Sequence, residues 1–387
     1  MDQRTIKLFF ALLRSAICGT KLTAEEKNIF SSDMLENLLN LAIKHDIAHL
    51  LVFGLKQNDL ISKEKSYIEE EIFKAVYRSE KIKYDFNILC NALEKAEIPF
   101  IPLKGSVIRK YYPKDWMRTS CDIDVLVHQE DLEKAIYYLE SNHSYTIKKR
   151  GFYDVSLYTQ NGTHIEIHFN LMANGIANNA IDILSSVWDN VLLCNNTKFC
   201  YKMTDSFFYF FHIAHMAKHF KGGGCGIRPL IDLWILDNIK NVDKDKRDVI
   251  LSIGDLLEFA NIARRLSKVW FEGIEGDKFT CQMEDFLLRG GVYGSTDNRV
   301  ALEQKSHGGR FGYIFYRIFA PYEILKYDYP IIKKHRWLIP FAQIKRWFKL
   351  LDPKIAKTVK RELSVNKSLE KSKAEEMKEF LDNLGLK

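Results

Sequence analysis

The sequence predicts an α+β protein that is mostly helical, with a central mixed β-sheet between an N-terminal and a C-terminal helical domain. Residues 1–97 contain no proline and only two glycines, and their apolar residues recur at helical spacing. Residues 98–200 alternate short β-rich runs with one clear helix. From residue 201 onwards the spacing is helical again. We therefore expect three domains, formed by residues 1–97, 98–200 and 201–387.

Composition limits the class of protein. A chain of 387 residues is long enough for two or three domains, and 47% hydrophobic with 13% aromatic residues is typical of an ordered globular protein. No run of about 18 apolar residues is present, and the first residues do not have the pattern of a signal peptide. The seven cysteines are scattered and form no CxxC pair, which indicates reduced thiols. We expect a cytoplasmic protein without a transmembrane segment.

The N-terminal residues predict several helices. Residues 31–33 followed by Glu36 have the pattern of a helix start with a capping-box-like acid, and the last helix, over about 66–96, leads into the sheet. His45 and His49 lie one turn apart in this region. Because no third ligand is nearby, we interpret both as polar positions near the surface and not as metal ligands.

The central region predicts five strands and one helix. The helix covers 131–141, where apolar residues recur at helical spacing. The order of the elements favours a mixed sheet with helices on one side. The predicted strands are 98–102, 121–127, 144–149, 152–159 and 163–169.

Two of these strands carry acidic side chains on one face. Because residues i and i+2 of a strand point to the same side, Asp122 and Asp124 project next to each other. Such carboxylates repel each other unless a cation lies between them, and oxygen ligands favour Mg²⁺. The last strand places His164, Glu166 and His168 on one face, with apolar residues on the other. We interpret it as a site strand, the alternative being an edge strand with a solvated polar face.

A small-residue turn precedes the acidic pair. Gly105 and Ser106 follow the short apolar run 100–103 and precede a helix-like segment. A turn between a strand and a helix start presents backbone N–H groups that can hold phosphate. The turn is therefore a candidate phosphate-binding element.

These residues resemble the nucleotidyltransferase fold of the DNA polymerase beta superfamily, whose signature is a Gly-Ser or Gly-Gly turn followed by an Asp-hydrophobic-Asp strand. Three features are similar to a poorly characterised bacterial nucleotidyltransferase family. They are the Leu-Lys-Gly sequence at 103–105, Arg118 shortly before the acidic pair, and the Asp-Ile-Asp-Val-Leu-Val sequence at 122–127. The resemblance implies that residues 98–200 form the catalytic domain.

The resemblance also implies a set of site residues. Asp122, Asp124 and Glu166 are expected to hold the metal ions and to be the catalytic residues. The similarity continues downstream, where a histidine-bearing helix and a glycine-bearing turn precede the segment from Arg228 to Asp232. The residues expected to bind the nucleotide are Lys104, Gly105, Ser106, Arg118, His168, His215, Arg228 and Asp232.

Titratable side chains of the C-terminal half permit several interpretations. His212, His215 and His219 lie at i, i+3 and i+7 and share one side of a predicted helix over 206–220. Active-site contacts, packing and a zinc site are the alternatives, and zinc is the least favoured. Arg228 and Asp232 lie one turn apart, and we expect them to form an ion pair that faces the nucleotide.

Basic charge is concentrated near the C-terminus. Residues 331–361 contain ten Lys or Arg and one acidic residue, a net charge of +9, whereas the whole chain carries +7, so the remainder has a net charge of −2. The segment could contact a membrane surface, bind RNA, or form a helical subdomain whose prolines end its helices and whose cations lie outside. We favour the subdomain. Residues from 364 onwards predict an exposed terminal helix.

The function implied by the resemblance is a metal-dependent nucleotidyltransferase. It would move a nucleoside monophosphate from an NTP, with ATP binding expected, to a hydroxyl of an acceptor and release pyrophosphate. Mg²⁺, or alternatively Mn²⁺, is the expected cofactor. The alternatives are a catalytically silent module that binds nucleotide, RNA or protein, a toxin-like transfer RNA nucleotidyltransferase, and an antibiotic-modifying enzyme. The acceptor, a small molecule or a macromolecule, is not specified by the fold.

Overall fold

The computed structural model describes residues 2–61, 67–171, 175–240, 242–292, 294–369 and 371–386. Most of these residues are helical, and a five-stranded mixed sheet lies between helices from both ends of the chain. The α+β prediction is confirmed. The predicted division into three domains stays a prediction.

The N-terminal helices follow the predicted spacing. The first one begins at a side-chain cap, where Asp2 accepts a hydrogen bond from the Thr5 N–H, and ends at Gly19, whose φ of 71° suits glycine. The helix predicted over about 66–96 is observed from Glu70 to Lys95, and residue 66 lies outside the described residues. The helices are α1 (Gln3–Cys18), α2 (Ala24–Ile29), α3 (Met34–Lys44), α4 (Ala48–Gln57) and α5 (Glu70–Lys95).

The central sheet has the strand order β1-β2-β5-β4-β3. Strands β2 and β5 run parallel, and the other neighbours run antiparallel. All five predicted strands are present, and a separate two-stranded ribbon was not predicted. The elements are β1 (Phe100–Pro102), α6 (Gly105–Ile108), β2 (Asp122–Val127), α7 (Leu132–His143), β3 (Thr146–Arg150), β4 (Asp154–Tyr158), β5 (His164–His168), α8 (Asn178–Ser185), β6 (Val191–Leu193) and β7 (Tyr201–Met203).

The C-terminal region is helical, as predicted. Pro321 and Pro330 follow helices that end at Ile318 and Asp328, as predicted, and each also precedes the next helix. Pro340 differs from the prediction, because it lies in the first turn of a helix. Proline fits there because its missing N–H is not needed in a first turn. The helices are α9 (Asp205–Lys221), α10 (Arg228–Asn238), α11 (Lys244–Ile253), α12 (Leu257–Glu272), α13 (Lys278–Arg289), α14 (Thr296–Ser306), α15 (Arg310–Ile318), α16 (Tyr322–Asp328), α17 (Ile331–Lys334), α18 (Ile339–Phe348), α19 (Pro353–Ser368) and α20 (Lys371–Asn383).

Two hydrophobic cores support the sheet from different sides. The larger one joins N-terminal and C-terminal helices, as in the stacking of Phe10 on Trp270 with ring centroids 4.1 Å apart. The smaller one lies between the sheet, α5 and α7. The prediction of an exposed terminal helix is wrong, because Phe380 packs 4.9 Å from Phe286 and Leu384 is fully buried in the larger core.

Two histidines of the N-terminal region were also predicted wrongly. His45 and His49 are buried and do not lie near the surface. His45 follows the end of α3, and His49 lies in the first turn of α4, most of whose residues are buried. His49 Nε2 lies 3.0 Å from the carbonyl oxygen of Met117. Burial lowers the pKa of each histidine to about 4. Among the helices of the described residues, none combines the length and the apolar character needed to cross a bilayer.

Candidate functional site

The parallel pairing of β2 and β5 brings the predicted carboxylates together. In the register of these strands, Asp122 lies opposite His164 and Asp124 lies opposite Glu166. The alternate residues of both strands, such as Ile123, are buried in the core of the sheet. The polar face is therefore fixed, since a slip of one residue would exchange the two faces.

Asp124 is the most enclosed member of the cluster. Its Oδ1 accepts a hydrogen bond from Lys104 Nζ at 2.8 Å and lies 2.9 Å from His168 Nε2, which is also 3.3 Å from Glu166 Oε2. Burial disfavours the charged carboxylate, but Lys104 and His168 hold the pKa of Asp124 well below its usual range. Asp124 is thus an anion with two positively polarised neighbours.

The negative charge of Asp124 shifts the pKa values of the other members of the cluster. Burial, together with the negative charge of Asp124, raises the pKa of Asp122. The pKa of Lys104 is raised as well, because Asp124 outweighs the effect of burial. Burial would lower the pKa of His168, but its hydrogen bonds to Asp124 and Glu166 raise it. Charge on any one of these groups therefore depends on the others.

Two overlapping groups of side chains have ligand atoms within 4.8 Å of one another, and both lie on this face. One contains Asp122, His164 and Glu166, and the other contains Asp124, Glu166 and His168. Glu166 belongs to both groups. Carboxylate oxygens suit Mg²⁺, and the added imidazoles also suit Mn²⁺ or softer ions. The donor set therefore fits a divalent cation.

The turn before β2 is strained at the residue that contacts the cluster. Lys104 has a φ of 45° and a ψ of −120°, a conformation that costs free energy in a residue other than glycine. Gly105 begins α6, and a Cβ there would lie 3.4 Å from Ser120 Cβ and 3.5 Å from Arg118 Nη1. Ser106 follows on the same half-buried turn. The chain is thus held tightly where it presents the Lys104 side chain to Asp124.

Arginine side chains support this turn from behind. Arg109 donates to the carbonyl oxygen of Gly105 at 3.0 Å and to Ser120 Oγ at 2.7 Å. Arg118 Nε donates to both oxygens of Asp232, at 2.7 and 3.0 Å, and the Tyr112 hydroxyl donates to Asp232 Oδ1 at 2.6 Å. Burial opposes ionisation of Asp232, yet Arg118 lowers its pKa. Arg118 and Asp232 thus form a buried ion pair.

The expected ion pair between Arg228 and Asp232 is replaced by other partners. Arg228 Nη1 lies 3.1 Å from Asp46 Oδ2 and donates to the carbonyl oxygen of Thr119 at 2.8 Å. Asp46 also accepts from Arg78 Nη2 at 2.9 Å. Arg228 and Asp232 are one helical turn apart, but the buried carboxylate of Asp232 pairs with Arg118, which lies in the loop before β2. The predicted ion pair between Arg228 and Asp232 is therefore wrong.

The histidines of α9 lie at different places. His215 Nε2 is 3.3 Å from His219 Nε2, and burial followed by the positive charge of Lys104 lowers the pKa of both, that of His219 to about 4. His212 Nε2 instead lies 2.9 Å from the carbonyl oxygen of Pro229. Within the described residues, the side-chain groups compact enough for a metal ion are the two on β2 and β5, and neither includes these histidines.

The predicted residues therefore fall into two sets. Lys104, His168 and His215 lie at the acidic cluster, and Gly105 and Ser106 follow Lys104 on the turn. The residues behind the turn are Arg118, Arg228 and Asp232. Sequence reasoning missed Asp154, which lies opposite His168 in the register of β4 and β5. Burial raises the pKa of Asp154, with His168 opposing and Glu166 adding to the shift. The alternation of Asp154 and Ser156 on β4 was the signal that could have identified it.

Comparison with known proteins gives one family. The model of a family described as "Uncharacterised nucleotidyltransferase" matches residues 31–272, which is more than half of the chain and includes the acidic cluster and the buried arginines. No curated protein matches the chain. No solved structure matches it either.

Proposed function

We propose that this chain, which belongs to the uncharacterised nucleotidyltransferase family, transfers a nucleoside monophosphate from an NTP to a hydroxyl group of an acceptor and releases pyrophosphate. The observation that carries the proposal is the meeting of Asp122, Asp124 and Glu166 on one face of two parallel strands. Carboxylates this close, with Asp124 buried and Asp122 and Glu166 half-buried, are costly, and a site for cations is the physical reason to keep them.

The proposed metal ligands are Asp122, Asp124 and Glu166, with His164 and His168 next to them. Bound Mg²⁺ or Mn²⁺ would neutralise the negative charge that the phosphates and the leaving pyrophosphate carry. Because the carboxylates come from neighbouring strands of a packed sheet, their spacing is set before any ligand binds. His168 Nε2 bridges Asp124 and Glu166, because it lies within reach of an oxygen of each.

The turn supplies the proposed contacts to phosphate. Lys104 Nζ lies at the cluster, and the strained backbone of Lys104 directs it there. The Gly105 N–H and the Ser106 hydroxyl group, at the start of α6, are proposed to face the phosphates, because the Ser106 N–H already donates to the carbonyl oxygen of Leu103 at 3.2 Å. We assign Arg118, Arg228 and Asp232 a positioning role, because their charged groups are bonded to protein partners behind the turn. Their direct contact with a nucleotide stays a prediction.

The test is nucleotide binding and turnover by the full chain with Mg²⁺ or Mn²⁺. Each of the four NTPs, labelled at the α-phosphate, is offered with the protein and candidate acceptors, and pyrophosphate release is measured in parallel. We expect Asp122→Asn with Asp124→Asn to abolish pyrophosphate release and to leave the circular dichroism spectrum unchanged. Asp59→Asn with Asp245→Asn, at two exposed positions, is the matched control and should keep full activity.

The outcomes separate the alternatives. Absence of nucleotide binding by the unsubstituted chain with either metal would end the proposal. Metal-dependent binding without pyrophosphate release, with any acceptor, would favour a catalytically silent module. Incorporation of label into transfer RNA, lost at high salt, would identify RNA as the acceptor. Label in a low-molecular-weight product would identify a small-molecule acceptor.

A further inference from the structure

Helix α15 presents apolar side chains to solvent. Phe311 is 88% exposed and Phe315 is 65% exposed, and Ile318 continues the same stripe at helical spacing. The opposite side of the helix is the one that packs, because Tyr313 is buried in a small core with Val300. A surface helix normally has its polar face outside, so this outward apolar stripe is unusual.

Helix α18 and the short helical turn before it repeat the pattern. Trp337 is 69% exposed, and Phe341, Ile344 and Phe348 follow at spacings of four, three and four residues, all exposed. Here too the other side of the helix is anchored, because Gln343 donates to a buried backbone carbonyl at 2.7 Å. The apolar side chains of α18 therefore face away from the helices that hold it.

The two stripes form one surface. The ring of Phe319, directly after α15, lies 5.8 Å from the ring of Trp347 on α18, and Trp347 Nε1 donates to the carbonyl oxygen of Ile318 at 2.8 Å. We call this surface the aromatic face. Its apolar residues are Phe311, Phe315, Ile318, Phe319, Trp337, Phe341, Ile344, Trp347 and Phe348. Neighbouring exposed apolar side chains such as these mark an interaction site.

Basic side chains belong to the same segment as the aromatic residues of α18. The segment 331–361 has a net charge of +9, and its exposed cations include Lys334, Lys345 and Lys354. Lys345 extends from α18 itself and lies 5.8 Å from the ring centroid of Tyr329. Basic residues close to an anionic membrane surface strengthen binding to it. The partner must therefore offer both negative charge and an apolar phase.

We propose that the aromatic face docks on the surface of an anionic lipid bilayer. Aromatic rings of tryptophan suit the headgroup region, and phenylalanine and isoleucine suit the acyl boundary below it. Aliphatic side chains such as Ile318 and Ile344 gain little from nucleic acid, whose bases stack on aromatic planes. A lipid surface uses the aromatic, aliphatic and basic residues together, which favours it over RNA. The proposal does not depend on nucleotide chemistry.

The test is sedimentation of the full chain with vesicles of phosphatidylcholine alone or with phosphatidylglycerol, at two salt concentrations. We expect binding to the anionic vesicles, weakened by salt, and little binding to the zwitterionic ones. Phe341→Ser with Phe348→Ser should lower the partition coefficient at least tenfold. Phe73→Ser with Tyr77→Ser, two exposed residues one turn apart on α5, is the matched control and should bind as the unsubstituted chain does.

A second measurement locates the contact. Lipids brominated near the headgroup should quench the fluorescence of the unsubstituted chain more than that of Trp337→Phe. Equal binding to both kinds of vesicle, or none, overturns the proposal. So does a dimer that forms without lipid and is lost in the Phe341→Ser with Phe348→Ser variant, because the aromatic face would then join two copies. Salt-sensitive binding of RNA in place of vesicles also overturns it.

Discussion

The role of Arg118 can be decided by replacing it with methionine. The change keeps the length and packing of the side chain but removes the guanidinium that holds Asp232 at 2.7 and 3.0 Å. Asp232 is 1% exposed, so its carboxylate would stay buried with the Tyr112 hydroxyl as a hydrogen-bond donor. Breaking a buried pair from one side costs about 3–5 kcal/mol. We expect Arg118→Met to lower the free energy of unfolding by this amount.

The ion pair between Arg118 and Asp232 also predicts how the free energy of unfolding depends on pH. Arg118 lowers the folded-state pKa of Asp232, so the stabilisation is present above the ordinary pKa of aspartate and is lost as the pH falls through the lowered value. Without Arg118, burial raises the pKa of Asp232, and the carboxyl group binds a proton at a higher pH. The stability difference between Arg118→Met and the unsubstituted chain should therefore shrink as the pH falls from neutral towards the ordinary pKa of aspartate, about 3.9.

The assay is urea unfolding followed by circular dichroism at pH 7.5 and pH 5, with nucleotide binding measured on the folded proteins. A double variant, Arg118→Met with Asp232→Leu, should cost less than the two single changes added together, because no charge is left buried. A variant Arg118→Met that unfolds at the same urea concentration as the unsubstituted chain but no longer binds NTP would refute this reasoning. Arg118 would then be a nucleotide contact, as its position in the sequence suggested.

Three further outcomes are expected. Lys104→Met should tighten Mn²⁺ binding at least tenfold in calorimetry, because the Lys104 ammonium group that bonds Asp124 competes with a cation. Unit charges 4 Å apart interact by about 4 kcal/mol near a protein surface. Weaker binding by the variant would show that Lys104 assists the metal. The neutral His45, with a pKa of about 4, should cost about 3 kcal/mol of stability as the pH falls from 6.5 to 4. His45→Leu should reduce that slope in unfolding curves. Phe380→Ala should lower the unfolding free energy by about 3 kcal/mol in denaturant titrations, whereas an unchanged value would mean that the terminal helix is not part of the core.

The faces of the site strands were predictable because alternation is local. Ile123 and Ile165 reveal which side of each strand is buried, so Asp124 and Glu166 are assigned to the polar side from the sequence alone. Alternation does not predict that β2 and β5 are parallel neighbours. It depends on pairing between residues 42 positions apart, as in Asp124 with Glu166. Only the family resemblance suggested it.

The support behind the turn was not predictable in the same way. Arg118 and Asp232 are 114 residues apart, and Arg228 and Asp46 are 182 residues apart. Neither separation leaves a periodic signal. The sequence instead suggested the local pair of Arg228 and Asp232, since residues four apart on a helix are neighbours. In the structure, the buried carboxylate of Asp232, which is 1% exposed, pairs with Arg118 instead. The Arg118 guanidinium donates to both of its oxygens.

These buried pairs bear on how the sheet relates to the helices around it. The loop before β2 carries Arg118 and Thr119, but their partner Asp232 belongs to α10 and their partner Asp46 to the turn between α3 and α4. A chain limited to residues 98–200 would keep Arg118 and lose the carboxylate that binds its guanidinium. The boundaries near residues 97 and 200 mark where the sequence changes character. The geometry of the acidic cluster depends on helices from both sides of them, because the same loop leads directly into Asp122.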